Sequence, residues 1–398
     1  MGMEYPIIIS FFILLLALIR VVTAVVHELG HAVAGLILFR GEISVYIGSY
    51  GDPKKGIHFG IGRLKVHFKY NPFLWGHGLC TSKSAQMSFL QGYIFTLAGP
   101  LSSLIVGMAS LYFLIDSDSH GALKLVSFFL LVSSLFDFFL NIMPSKKPIL
   151  LYNGTLTYND GQSLKLLNEY RHVFKEITLL SQHYNNNEIE KGIAFFEEAY
   201  SQQPDVNILR LGIALNMKGE NYERAIALFN EFGREHKMRA EDYGSHALAY
   251  SFLGEHLEAL ELYDKSLQLN SEAIHSLCNR GYTLNVLERF EKAILDFDKA
   301  IELNPNFAYA YSNRGLAKIK LGQEAEGLND IAKSIQLDDK EPYGYKNLGI
   351  YHKDKGDMKE ALEFFLQAKT NDPKTDGLNE LIEEAETQIV LSGDRTRE

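Results

Sequence analysis

Gly281, Gly315 and Gly349 stand 34 residues apart, and other positions keep the same step. Ala225, Ala259 and Ala293 continue as Gly327 and Ala361, while Tyr263, Phe297, Ile331 and Phe365 run in parallel. Leu269, Leu303 and Leu337 share the interval, and Pro305 and Pro373 differ by two steps. A unit of this length cannot bury its own apolar face, so neighbours must stack and share one continuous core. Small residues fall where two helices touch and large apolar ones fill the space between them. The second half of the chain is therefore predicted to be an α-solenoid with a concave groove. Such a groove takes a protein or peptide partner and carries no catalytic constellation of its own.

"CNRGYTLNVLERFEKAILDFDKAIELNPN" resembles the tetratricopeptide repeat. Related units run upstream through "LGIALNMKGENYERAIALFNEF" to "EKGIAFFEEAYSQQPD". About six units are expected between residues 170 and 375. "DGLNELIEEAETQIVL" reads as a capping helix with a polar outer face. The expected repeat domain covers 168–398.

Residues 1–167 obey a different rule. Three apolar runs, at 6–39, 87–115 and 123–144, are each long enough to cross a bilayer as a helix. The leader "MGMEYP" lacks a basic stretch and no small-residue cleavage site follows the first run, so a retained span is expected rather than a signal peptide. Basic residues concentrate in the loop from Arg40 to Lys83 and at Lys146 and Lys147, whereas "DSDSHG" between the second and third runs has none. The positive-inside tendency then puts the N-terminus outside and the repeats in the cytoplasm, in a multi-pass protein of the bacterial cell membrane. This part carries a net charge of +4 and the remainder −14. An acidic second half argues against nucleic acid as a partner. Cys80 and Cys278 lie in different halves and imply no disulfide framework.

Inside the first apolar run lies "VVHELGH". His27 and His31 are one helical turn apart on one face, and Glu28 lies beside them. This is the H-E-x-x-H pattern, in which two imidazoles hold one Zn2+ and the glutamate acts as base toward water. Ionisable groups in a membrane helix are rare and usually functional. A third protein ligand is needed, often a carboxylate. Asp137 lies within the third run, and Asp160 opens "DGQSLKLL" just beyond it. His58, His67 and His77 in the 40–84 loop read as solvated strand and loop residues. That loop alternates, with Ile57, Phe59 and Ile61 followed by Leu64, Val66 and Phe68, so a β-hairpin or small sheet with a bend or bulge at Gly62-Arg63 is expected.

"HELGH", "LAGPLSSL", and "NIMP" followed by "NDGQSLKLL" together resemble the site-2 protease family of intramembrane zinc metalloproteases. The resemblance implies zinc held by His27, His31 and Asp160, with Glu28 as general base. Asn141 and Pro144 match the family's Asn-x-x-Pro, and Gly99 and Pro100 belong to the second matching motif. It also implies a small sheet beside the site. Here "SKKPILLYNGTLTYN" separates the proline from the Asp-Gly pair, so Asp137 stands as a rival ligand. The expected fold is mainly α: three transmembrane helices with a small sheet, then the repeat solenoid. The expected activity is a zinc metalloendopeptidase that cuts membrane proteins in or near the lipid bilayer. An edge strand within 43–70 would hold the unwound substrate, and the repeats would recruit substrates or regulators. The alternatives are an inactive membrane-anchored interaction scaffold and a metal-handling protein that would survive loss of Glu28.

Overall fold

A computed structural model describes residues 4–83, 87–116 and 118–394. It forms two compact units, Met1–Asn186 and Asn187–Glu398.

In the first unit the apolar runs are helices: α1 (Glu4–Leu38), α2 (Phe89–Ile115) and α3 (Gly121–Ile142). Each is long and apolar enough to cross a membrane, and the three pack on one another. Ser88 sets the start of α2: its hydroxyl accepts from the Gln91 N–H while the Gln91 side chain accepts from the Ser88 N–H. The burial pattern is inverted relative to a water-soluble bundle. The buried positions of α2 and α3 are small or polar, among them Gly99, Ser103, Ser110, Ser127, Ser134 and Asp137. Their exposed positions include Leu101, Ile105, Ile115, Phe128 and Phe136. Small interfacial residues let helix backbones approach closely where lipid, not water, is the solvent.

Between α1 and α2 lies a four-stranded sheet: β1 (Ile43–Ile47), β2 (Gly56–Ile61), β3 (Leu64–Lys69) and β4 (Gly78–Ser82), in the order β2-β3-β1-β4. β1 runs parallel to β3 and antiparallel to β4. The expected bend is the two-residue turn of the β2–β3 hairpin, where Ile61 pairs with Leu64 and Gly62 has φ +58°. Ile43, Val45 and Ile47 of β1 form a core with Ala32, Phe39 and Val66. The sheet is thereby fixed to the same helix that carries the His-Glu motif.

Beyond α3 the inserted segment forms a small hairpin, β5 (Ile149–Leu150) with β6 (Leu156–Thr157), and α4 (Asp160–Glu169) follows. α4 packs on α2 and α3. Phe174, the first residue of α5 (Phe174–Asn185), meets Phe89 of α2 edge-to-face. These contacts carry the first unit past the expected limit at 167.

The second unit opens with α6 (Ile189–Gln202) and continues as five antiparallel pairs. These are α7/α8 (Val206–Lys218, Tyr222–Glu235), α9/α10 (Ala240–Phe252, His256–Leu269), α11/α12 (Ile274–Val286, Phe290–Leu303), α13/α14 (Ala308–Lys320, Glu324–Leu337) and α15/α16 (Pro342–Lys355, Met358–Asn371). The terminal α17 (Leu378–Asp394) packs its Leu378, Ile382 and Ala385 on Phe365 and Ala368. The periodic residues are the core: Ala259, Ala293, Ala361, Tyr263, Phe297, Ile331 and Phe365 are all fully buried. The turn inside each pair repeats as well. Glu220, Gly254, Glu288, Gly322 and Gly356 are 34 residues apart and all have φ between 55° and 88°. Arg280 and Arg314, one step apart, each grip a buried aspartate, Asp296 or Asp330, with two hydrogen bonds and an aspartate of the preceding pair with a third.

Candidate metal centre

Helix α1 presents His27, Glu28 and His31 inward, where all three are buried. His27 Nε2 lies 3.0 Å from Asp160 Oδ2 and 3.2 Å from His31 Nε2, and His31 Nε2 lies 3.4 Å from the same carboxylate oxygen. Three potential ligand atoms therefore converge. Asp137 stands on the other side of the ring: its Oδ2 is 2.8 Å from His27 Nδ1. That carboxylate also accepts from Ser103 Oγ at 2.7 Å and from Arg20 Nη1 at 2.7 Å. His31 Nδ1 donates to the Phe95 carbonyl at 2.7 Å. Both Nδ1 atoms are thus occupied, which leaves both Nε2 atoms directed at one point. Fixing the ring from behind in this way selects the tautomer that a ligand needs.

The donor set suits zinc. Tetrahedral zinc with bonds of 2.0–2.2 Å separates its ligand atoms by roughly 3.3–3.6 Å. The observed 3.0, 3.2 and 3.4 Å fall within a few tenths of that. Room for the cluster comes from Gly99, where a Cβ would lie 2.2 Å from His31 Nε2 and 2.7 Å from His27 Nε2.

The Asp-Gly pair is delivered by Asn159. Its amide donates to the carbonyls of Leu140, at 3.1 Å, and Met143, at 2.7 Å, which close α3. Its side-chain oxygen accepts from the Ser145 N–H and from the Gln162 N–H in the first turn of α4. One residue therefore joins the end of α3 to the start of α4, and the intervening hairpin loops out without moving Asp160. At Gly161 a Cβ would lie 2.2 Å from the Ile142 carbonyl oxygen, so only glycine allows this approach. Burial works to raise the Asp160 carboxyl, but His31 and His27 outweigh it and hold it at about 2.

A cavity of about 330 Å³ opens on the cluster, lined by Arg20, Glu28, Tyr50, His77, Asn141 and the β4 residues Gly78, Leu79 and Cys80, among others. Glu28 runs beneath β4, where a Cβ on Gly78 would lie 2.7 Å from Glu28 Cγ. Asn141 lines this cavity and donates to the Asp137 carbonyl at 3.0 Å. Pro144 lies outside α3, just beyond its end. Burial pushes the Cys80 thiol up, as do the nearby Glu28 and Asp160. His77 packs on Tyr50, whereas His58 and His67 pair across the β2–β3 hairpin at 2.8 Å, outside the cavity lining.

Arg20, Ser103 and Asn159 support the cluster although none was singled out as a site residue; Ser103 and Asn159 lie within the quoted motifs, and Arg20 lies outside them. Arg20 carried a signal, since it is the one cation in the first apolar run and an intramembrane charge needs a partner.

Tetratricopeptide repeat family models match residues 243–272, 275–307, 297–329 and 344–375. The C-terminal region is built of tetratricopeptide repeats. A comparison with curated proteins finds no match. Among solved structures, MamA from Desulfovibrio magneticus RS-1 is 24% identical over 42% of this chain and 96% of its own, with a TM-score of 0.35. A thermophilic tetratricopeptide repeat protein of Thermus thermophilus is 23% identical over 44% of this chain and 96% of its own, with a TM-score of 0.38. A tetratricopeptide repeat protein from Parabacteroides merdae is 17% identical over 57% of this chain and 91% of its own, with a TM-score of 0.46.

Proposed function

We propose that the first unit is an intramembrane zinc metalloendopeptidase of the site-2 protease type, attached to a repeat domain that binds protein or peptide partners. The observation that carries this reading is the convergence of His27 Nε2, His31 Nε2 and Asp160 Oδ2 in one cavity with Glu28. These three residues would hold the ion and Asp137 would orient His27. A zinc ion there supplies Lewis acidity toward water and a peptide carbonyl. Glu28 takes the proton of the attacking water and returns it to the leaving amine. Arg20 and Ser103 keep Asp137 aimed at His27.

A helical substrate hides its peptide bonds in its own hydrogen-bond ladder, so it must unwind locally. β4 is the sheet edge beside the cavity, and Gly78, Leu79 and Cys80 line that cavity. It is better placed than any strand within 43–70 to hold the unwound segment by strand addition. The inverted burial of α1–α3 supports a place in the bilayer, with the Lys and Arg asymmetry putting the repeats on the cytoplasmic side.

The repeats alone also suit a membrane-anchored scaffold, but a scaffold has no need of His27, Glu28, His31 and Asp160 gathered around one point. Glu28→Gln separates the readings. Co-reconstituted in vesicles with single-pass model substrates, the variant should keep its zinc and lose about 10²- to 10⁴-fold in cleavage rate. Cleavage at the wild-type rate would refute the peptidase mechanism.

A further inference from the structure

The first helices of the repeat pairs touch one another, as α11 does α13 and α13 does α15, so they line the inner side of the curve. On that side three tyrosines from three successive first helices meet. Tyr309 and Tyr343 lie edge-to-face at 4.9 Å, and Tyr282 meets Tyr343 at 5.5 Å. Lys346 lies over the rings of Tyr282 and Tyr343 at 5.6 and 5.3 Å. It is only 6% exposed. Its hydrogen-bond partners are both neutral: the Tyr282 hydroxyl at 3.3 Å and the Asp376 carbonyl. A buried cation is costly, and the carboxylates that relieve that cost here, Asp376 and Glu380, act on Lys346 without hydrogen-bonding to it.

The architecture does not require this group. One and two repeats earlier, the position of Lys346 is Ser312 and Cys278, and one and two repeats after Tyr282 stand Leu316 and Ile350. The chain's own segment fills the pocket in an irregular way. The helices α13 and α15 begin one step apart at Ala308 and Pro342, and the next step falls on Asp376. Yet α17 begins only at Leu378, after Gly377 turns with φ +64°. Asp376 is thereby left outside the helix, and its carboxylate accepts from the Tyr282 hydroxyl, 94 residues away in sequence. Nearby, Lys374 pairs with Glu220 in the α7–α8 turn, so the segment bridges the inner face.

We propose that this pocket recognises an acidic residue of an extended partner peptide, and that Asp376 occupies it until such a peptide displaces it. The tyrosine walls supply hydroxyl donors and ring faces, and Lys346 supplies the charge. The proposal is independent of the chemistry in the membrane unit.

The test uses the full chain in detergent and a fluorescent octapeptide copying residues 371–378, "NDPKTDGL". Its affinity is read by anisotropy. Asp376→Ala should bind the peptide about tenfold or more tighter than wild type, because the competing segment no longer fills the pocket. The same peptide with asparagine in place of the Asp376 equivalent should lose that gain, as should Asp376→Ala combined with Lys346→Met. A circular dichroism melt confirms that each variant is folded, and Asp376→Asn replaces the alanine variant if the latter is not. Equal affinity for wild type and variant, no binding to either, or equal binding of the aspartate and asparagine peptides would overturn the proposal.

Discussion

Gly99→Ala adds one methyl group to the candidate site. Its Cβ would lie 2.2 Å from His31 Nε2, whereas ordinary contact begins at 3.4 Å, so the imidazole must retreat by roughly 1.2 Å. It cannot do so freely, because His31 Nδ1 is held by the Phe95 carbonyl at 2.7 Å. The same methyl group would lie 2.7 Å from His27 Nε2, so both proposed ligand atoms are pushed. A displacement of about 1 Å is enough to cost about 10²-fold in rate when the geometry is fixed by other contacts. Zinc affinity should fall by about 10- to 100-fold, the range seen when ligand orientation is disturbed. Glycine to alanine within a helix otherwise stabilises by about 0.5–1 kcal/mol, so the fold should survive. The assay is zinc per chain by mass spectrometry after dialysis against a graded chelator. Gly107→Ala serves as the control, since the nearest atom to its Cβ would be Ser134 Cβ at 3.2 Å, followed by Leu131, away from the histidines. A Gly99→Ala protein with wild-type zinc affinity would refute the assignment of this point as the metal position.

Asp160→Asn should remove zinc, because the residue offers one of the three proposed ligand atoms, whereas Asp137→Asn should weaken binding by about 10- to 100-fold through His27; metal analysis giving the reverse order would move the ligand to Asp137. In the solenoid, Gly322→Ala should cost about 1 kcal/mol and Glu288→Gly should be neutral to mildly stabilising, because both positions need a left-handed backbone. Thermal melts of the two variants shifting in the same direction would contradict that reading of the turns.

The repeat fold was legible because its signal is redundant. Each cycle restates the same small and large positions, so a change at one place, as of alanine to glycine at Gly327, hides nothing. The repeated turn was less visible. Three of its occupants are glycine and two are glutamate at the same positive φ, so composition alone does not mark the position. The Arg280 and Arg314 clasps were missed for another reason. Each arginine and its two aspartates come from different helices, and only stacking brings them together.

The site divides along the same line. His27, Glu28 and His31 are legible because one helical turn fixes their geometry before any tertiary contact forms. Whether Asp160 or Asp137 shares their point depends on how the chain returns after α3. Asn159 lies 14 positions after Ser145, yet its side chain accepts from the Ser145 N–H at 3.1 Å, and this contact cancels the insertion. The decision between the two aspartates then rests on which ring nitrogen each one faces. Asp137 shares Nδ1 of His27 with no other ring, while Asp160 faces Nε2 of both histidines. A carboxylate that faces one imidazole from behind can orient it but cannot share its metal. The Asp-Gly motif is therefore a statement about backbone: glycine at 161 lets α4 start against the end of α3, and that contact places the preceding aspartate where the two histidines meet.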